Sequence, residues 1–268
     1  MQKTINTFSK TLWKTHPFLM KMGIFNAAIA LFCLVAMGFD DRTLLGVSVW
    51  LKPLKFAISL AIFCGTITWL ISIYPYTEKW RKWNGNFFAV LIFIEILTIL
   101  IPASMGIKSH YNMSTLTSAI IFGVMGLAIH STVLGLFIMA IQSFYKPLNT
   151  SKSIVWAIRF AWITMFFAFW GGELMIGQSA HNIGIPDGGD GLPITNWSTK
   201  GGDLRVMHFF GIHALQILPL LVYFLGQFSI FKTQKGLTTA SILIGLGYLG
   251  LTSFLFYQAL QGQPLFSF

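Results

Sequence analysis

The segment GGDLRVMHFFGIHALQILP, residues 201–219, sets Arg205, His208, His213 and Gln216 among residues that otherwise suit a membrane span. Ionisable side chains are costly in hydrocarbon; where they occur they face a bundle interior and mark a functional site. A helix turns about 100° per residue, so with Arg205 at zero His208 falls at about −60°, Gln216 at about +20° and His213 at about +80°. The four share an arc of roughly 140°, and the rest of the circumference is lipid-compatible.

Residues from different helices meet only at similar heights. At about 1.5 Å per residue, His208 lies about 6 Å and His213 about 14 Å inside the outer end of their span. Glu173, one turn from the outer end of the preceding span, also lies about 6 Å deep. His181 follows it closely; His110 and Asn112, in SHYN, come from the outer end of the third span, and Lys52 and Lys55 from the outer start of the second. A carboxylate with imidazoles at one level is a ligand set for zinc or non-haem iron, which accept neutral imidazole nitrogen and carboxylate oxygen. Glu173, His181, His208 and His213 are therefore the metal-ligand candidates, and Glu95, Glu173 and Arg205 the catalytic candidates. The same groups have plainer uses: Glu173 can pair with Arg205, and the histidines can bond backbone carbonyls in a packed polar core. HxxxxH is weak evidence, because its histidines do not share one stripe as those of HExxH do.

Haem b is the second cofactor reading. Small residues flank two candidate axial ligands, Gly211 and Ala214 beside His213 and Gly126 one turn before His130, so a flat macrocycle could approach both helices. Arg205, Lys52 and Lys55 would then face propionates. His130 lies about 21 Å from the outer end of its span, deeper than His213, and a hydrogen-bonded core role fits it equally. Glu95 stands near mid-span with Thr98 and Pro102, too deep for an unpaired charge; it is either a neutral, hydrogen-bonded carboxyl or a proton relay. In WLKPLKF, Lys52 and Lys55 either snorkel to the interface or attract an anionic group. DGGDG at 187–191 lacks the spaced carboxylates and closing Glu of a calcium loop. Asn196-Trp197-Ser198 matches a glycosylation acceptor, a pattern common by chance. No lysine lies in the middle of the last span to carry a retinal Schiff base, and glycine-rich phosphate motifs are absent.

The elements that must hold these groups are membrane helices. With 55% hydrophobic and 10% charged residues among 268, the chain is far from a soluble domain, whose charged share is about 25%. Apolar segments at 20–38, 53–74, 87–106, 116–142, 154–177, 204–229 and 238–260 are each long enough for a hydrocarbon core, which takes roughly 20 helical residues. The expected fold is all-α, one bundle of seven transmembrane helices occupying residues 1–268 as a single domain. No cleavable signal peptide is evident; Ile5, Phe8 and Leu12 beside Lys3, Lys10 and Lys14 instead give residues 1–19 the character of an interfacial segment.

The net charge of +10 does not indicate nucleic acid, because it sorts by side. Lys3, Lys10, Lys14 and Lys21, then Lys79, Arg81 and Lys82, then Lys146 and Lys152, then Lys232 and Lys235 share one face; Asp40, Asp41, Asp187, Asp190 and Asp203 share the other. The positive-inside rule makes the N-terminus cytoplasmic and the C-terminus external. Cys33 and Cys64 lie within spans and read as buried thiols. Connections are short except 178–203, whose length and apolar content (Ile183, Ile185, Leu192, Ile194, Trp197) point to a folded external lid. Gly201 and Gly202 permit a turn there, and Asp203 can cap the following helix. No internal repeat is visible.

WLKPLKFAIS (50–59), SHYN (109–112), the lid with GGDLR (187–205), HFFGIHALQILP (208–219) and QGQPL (261–265) together resemble a family of uncharacterised bacterial multi-pass membrane proteins. The resemblance spans most of the chain. It implies a seven-span protein of the bacterial cytoplasmic membrane and carries over no catalytic assignment. The residues themselves point to an outward-facing polar site that binds a metal or haem and acts on a lipid or other apolar substrate. The alternative is a transporter or sensor of a small solute or protons using the same cluster; discontinuous helices would favour it.

Overall fold

The computed structural model describes residues 2–189, 191–231 and 233–267, with side chains from residue 6 onward. Asp190, Lys232 and the side chains of Lys3 and Ile5, all part of the sequence pattern above, lie outside the described residues. A chain in hydrocarbon must satisfy its backbone internally, and helices do this within a single segment. The helices are α1 (Gln2–Thr15), α2 (Pro17–Ala36), α3 (Leu51–Ile73), α4 (Glu78–Ser104), α5 (Leu116–Tyr145), α6 (Lys152–Gly177), α7 (Leu204–Ile212), α8 (Ala214–Leu225) and α9 (Gln234–Leu260). Two short antiparallel ladders lie in connections: β1 (Thr43–Leu44) with β2 (Val47–Ser48), and β3 (Asn182–Ile183) with β4 (Gly202–Asp203).

Among the described residues six helices are long and apolar enough to cross a membrane, and there are seven when the bent pair α7–α8 is counted as one span. The architecture is thus all-α and consistent with seven spans. Helix starts follow side-chain caps that satisfy free N–H groups: Thr115 accepts from Ser118 N, Ser151 from Ile154 N and Thr233 from Gly236 N. α4 begins at Glu78, well before the apolar run that opens at 87, because Thr77 caps it and its first turns need no lipid-compatible surface.

The chain divides into two compact units, 1–149 and 150–268. In the first, α2, α3 and α4 pack on one another, α5 packs on α4, and α1 lies on α2 and α3. Ile29, Cys33, Trp50, Ala57 and Ile96 form a buried cluster among them. In the second, α6, α9 and the α7–α8 pair form another mutually packed triad. A Cβ at Gly211 would lie 2.1 Å from that of Ala168, so glycine is what lets α7 approach α6 this closely. In each unit a helix, a ladder-bearing connection and two further spans follow in that order, α2 to α4 in the first and α6 to α9 in the second with α7–α8 taken as one, although no repeat is visible in the sequence.

The largest departure from expectation is in 204–229, which does not form one straight span. The chain bends by 53° between α7 and α8. At His213 the hydrogen bonding changes register: Gln216 N and Ile217 N both donate to His213 O, at 3.0 Å each. Pro219 adds a missing donor one turn further on. The Phe210 carbonyl at the break accepts from Tyr248 Oη of α9 at 2.8 Å, so the disturbed ladder is completed by a side chain.

Orientation can be read directly from labelling. Lys200 and Thr233 are exposed at opposite ends of the second unit's spans, and Cys33 and Cys64 are buried, leaving a silent background. A membrane-impermeant maleimide should label Lys200→Cys in intact cells and Thr233→Cys only after lysis. The reverse pattern would invert the topology.

Candidate functional site

The lid residues 178–203 are held by a polar core built around two carboxylates. Asp187 accepts from the backbone N–H of His181 (3.1 Å) and of Asn182 (2.9 Å), and its Oδ1 lies 3.2 Å from His181 Nδ1. This use of Asp187 in tying a turn accounts for its place in DGGDG without calcium. Asp203, 1% exposed, caps α7 as expected by accepting from Arg205 N at 3.0 Å. It also accepts from Ser198 N (2.8 Å) and, bidentately, from the Arg205 guanidinium (Nε 2.9 Å, Nη2 2.6 Å). Arg205 Nη2 donates as well to Asn196 O at 2.6 Å. The ion-pair partner of Arg205 is thus Asp203, two residues away.

On the broken span, His208 Nδ1 lies 2.8 Å from the Ala168 carbonyl of α6. A carbonyl only accepts, so Nδ1 carries the proton and Nε2 presents a lone pair. The ring fits against Gly172, where a Cβ would stand 3.0 Å from Cε1. His213 occupies the break itself; its carbonyl accepts from Gln216 N, and its ring lies within electrostatic reach of His208. Phe209 stacks edge-on against His213 at 4.5 Å, and Trp197 of the lid packs on Phe209 (5.5 Å) and Phe210 (6.4 Å). The single polar arc drawn for a straight helix stops at His213, but His208, His213 and Gln216 remain on one segment.

Glu173 stands on an exposed face of α6, where it lines a shallow groove of about 300 Å³ with Gln178, Ile183, Leu204 and Leu260. His181 is engaged in the lid. Among the described residues no three His, Cys, Asp or Glu side chains come together in a way that could hold a metal ion. Glu173, His181, His208 and His213 therefore form no such group among the described residues, since height along a helix says nothing of which way each side chain turns.

His130, Lys52, Lys55 and Glu95 belong to the first unit. His130 is on an exposed face of α5, its Nδ1 bonded to Gly126 O at 2.7 Å. Lys52 reaches to 6.0 Å from the Phe56 ring centroid, and His110 meets the same ring at 5.9 Å. Lys55 is half-buried in the first turns of α3. Glu95 is buried, 9% exposed.

Sequence reasoning missed two arrangements. Asp40 and Arg42 form the same fork as Asp203 and Arg205: Arg42 N, Nε and Nη2 donate to the carboxylate at 3.2, 2.9 and 2.7 Å. Trp50 Nε1 adds a bond of 2.7 Å, and Arg42 Nη1 reaches Ser104 O at 3.0 Å. Hydrogen bonds from Arg42, then Trp50, hold the Asp40 carboxyl well below the usual carboxylate range. The shared Asp-x-Arg spacing was the available signal. For Tyr248 there was none, a lone tyrosine in an apolar span being ordinary.

Against known proteins, the chain matches no family model, no curated protein and no solved structure. What stands of the resemblance is its coarser part, a multi-pass helical membrane protein.

Residues 178–203 should lose stability in acid. Burial first, then repulsion from Arg205, holds the His181 imidazole below its ordinary 6.5, against the pull of Asp187 and Asp203. Neutral His181 therefore stabilises the folded lid fully above 6.5, and this contribution is lost as pH falls from 6.5 toward the lowered value. Amide protection factors over 178–203, corrected for intrinsic exchange, should drop by up to about tenfold per pH unit in that window. His181→Gln should abolish this dependence; an equal drop in the variant would assign it elsewhere.

Proposed function

We propose that the protein is a membrane carrier of a small polar solute, with the α7–α8 break as its binding element. The observation that carries this reading is the 53° bend at His213 inside an otherwise apolar span. Carriers commonly bind at such discontinuities, where unwound backbone and nearby side chains are open to a ligand. Here the break brings together His208, with Nε2 as acceptor, and His213 with Gln216, beside an aromatic wall of Trp197, Phe209 and Phe210. A solute with a hydrogen-bond donor and some apolar surface suits these groups. The two triads of like order accord with the repeats from which many carriers are built.

One observation favours the second reading, a metal- or haem-dependent enzyme acting on an apolar substrate. A histidine whose Nδ1–H is fixed on a carbonyl, as in His208, is oriented as an Nε2 ligand. His208 and His213 would then supply imidazoles to zinc, iron or haem b, with Arg205 near the lid and Glu173 on the outer groove as accessory groups.

Both readings are separated by one purified preparation. A panel of amino acids, carboxylates, sugars and polyols is screened for thermal stabilisation, and a radiolabelled hit is followed into proteoliposomes. His208→Ala should reduce uptake at least about tenfold, the equivalent of about 1.4 kcal/mol. Tyr248→Phe should lower both uptake and thermal stability, because a buried carbonyl left without its donor costs about 1–3 kcal/mol. Stoichiometric zinc or iron, or a Soret band, that disappears in His208→Ala would replace the carrier reading with the enzyme. Absence of any stabilising solute would sink the carrier.

A further inference from the structure

Beyond the broken span, the first unit holds a second chemical group of a different kind. Glu95 lies on the buried stripe of α4 with Ile92, Ile96 and Ile99. Its position is about 26 Å along the helix from Glu78 and about 14 Å from Ser104. Among the described residues its Oε2 is buried and has no hydrogen-bond partner. Thr98, one turn away, does not supply one, since its hydroxyl donates to the Glu95 backbone carbonyl at 2.9 Å.

A second acceptor without a donor lies in the same unit. Asn26 of α2 is fully buried; its Nδ2 donates to Met22 O at 2.9 Å, and its Oδ1 has no partner among the described residues. The Phe25 and Phe93 rings, 5.9 Å apart, put Asn26 and Glu95 within about one turn of the same height. Two buried oxygens lacking donors in hydrocarbon are costly as they stand, and a proton is the simplest donor that relieves the shortage.

The titratable groups on the elements packed against α4 are few. α2 brings Cys33 and, at its start, Lys21; α3 brings Lys52 and Lys55 in its first turns and Cys64 deeper; α5 brings His130, bonded to its own helix, and Tyr145 at its end. Cys33 and Cys64 are buried free thiols. Lys52 is the cation that acts on Glu95 electrostatically.

We propose that Glu95 is an intramembrane proton-binding site, a carboxyl that releases one proton to water and leaves a carboxylate whose negative charge is balanced by the Lys52 ammonium. The site goes beyond the carrier reading and its test does not depend on any solute. It gives the first unit a charge that changes by one on each protonation cycle, at a depth where charge is felt strongly.

Dicyclohexylcarbodiimide, an apolar reagent that modifies protonated carboxyls, is applied to the full protein in liposomes, and adduct on the Glu95 peptide is quantified by mass spectrometry. Labelling should fall at least tenfold from acidic to alkaline pH. Lys52→Gln should displace the midpoint toward alkaline pH, because a positive neighbour favours the carboxylate; Lys79→Gln should leave it unmoved. Infrared spectroscopy covers the case in which the reagent fails to enter. A protonated-carboxyl stretch sensitive to deuterium should be present near neutral pH, disappear on alkalinisation and be missing from Glu95→Gln. That variant keeps shape and a donor, so its melting temperature should stay close to that of the parent. If no such band is assignable to Glu95 at any pH, or if it persists unchanged into strong alkali, Glu95 does not exchange a proton and the site is overturned.

Discussion

Hydrocarbon supplies no hydrogen-bond partners, and this one constraint organises the whole chain. Threonine hydroxyls within the spans fold back on their own helices: Thr68 donates to Cys64 O, Thr132 to Ala128 O, Thr164 to Phe160 O and Thr252 to Tyr248 O. These residues are polar in composition yet add nothing polar to the helix surface. His208 obeys the same rule across a helix boundary by bonding Ala168 O. Where the ladder breaks at His213, the Phe210 carbonyl is taken by Tyr248. Among the described residues, Glu95 Oε2, Asn26 Oδ1 and Trp162 Nε1 depart from this pattern as buried atoms without a hydrogen-bond partner.

Outside the spans the organising contact is a charged fork. Asp40 with Arg42 and Asp203 with Arg205 repeat one geometry, in which the carboxylate binds both the backbone N–H and the guanidinium of the residue two positions on. Bidentate arginine contacts fix orientation as well as charge. In the first unit the fork ties the connection to the C-terminal end of α4 through Ser104 O, where helix carbonyls lack intrahelical donors. In the second it ties the start of α7 to the lid through Asn196 O. A lysine in either place would keep the charge and lose the fork.

The spans were legible because length and apolarity alone determine them, and so was the cap at Asp203, because a carboxylate before a helix has one obvious use. The folded state of the lid followed from its apolar residues, and Trp197 indeed packs on Phe209 and Phe210. Height along a helix placed Glu173, His181, His208 and His213 at comparable levels, but azimuth was unknowable between helices. It is azimuth that turns Glu173 outward and gives His181 to Asp187. The break was half legible. Pro219 announced a weakened ladder, yet the bend sits six residues earlier, at His213. There the Phe210 carbonyl is completed by Tyr248, whose position in another helix no local rule could supply.

The break acquires meaning from what each of its halves is fastened to. α7 is bound to the lid at both ends: Arg205 in its first turn holds Asn196 O and Asp203, and Phe209 and Phe210 near its last turn hold Trp197. Both helices also pack on α6 and α9, α8 through buried Leu215, Leu218 and Val222. The named contacts of residues 178–203 thus fall on α7, and His213 separates that half of the break from α8. A hinge with a weakened hydrogen-bond ladder needs less energy to reorient than a continuous helix, whose bending would break further backbone bonds in a medium with no water to replace them. An imidazole stands at that point, on the residue whose carbonyl accepts from both Gln216 N and Ile217 N. Named donors, acceptors and ring pairs thus join 178–203 to α7, and His208 in turn joins α7 to α6.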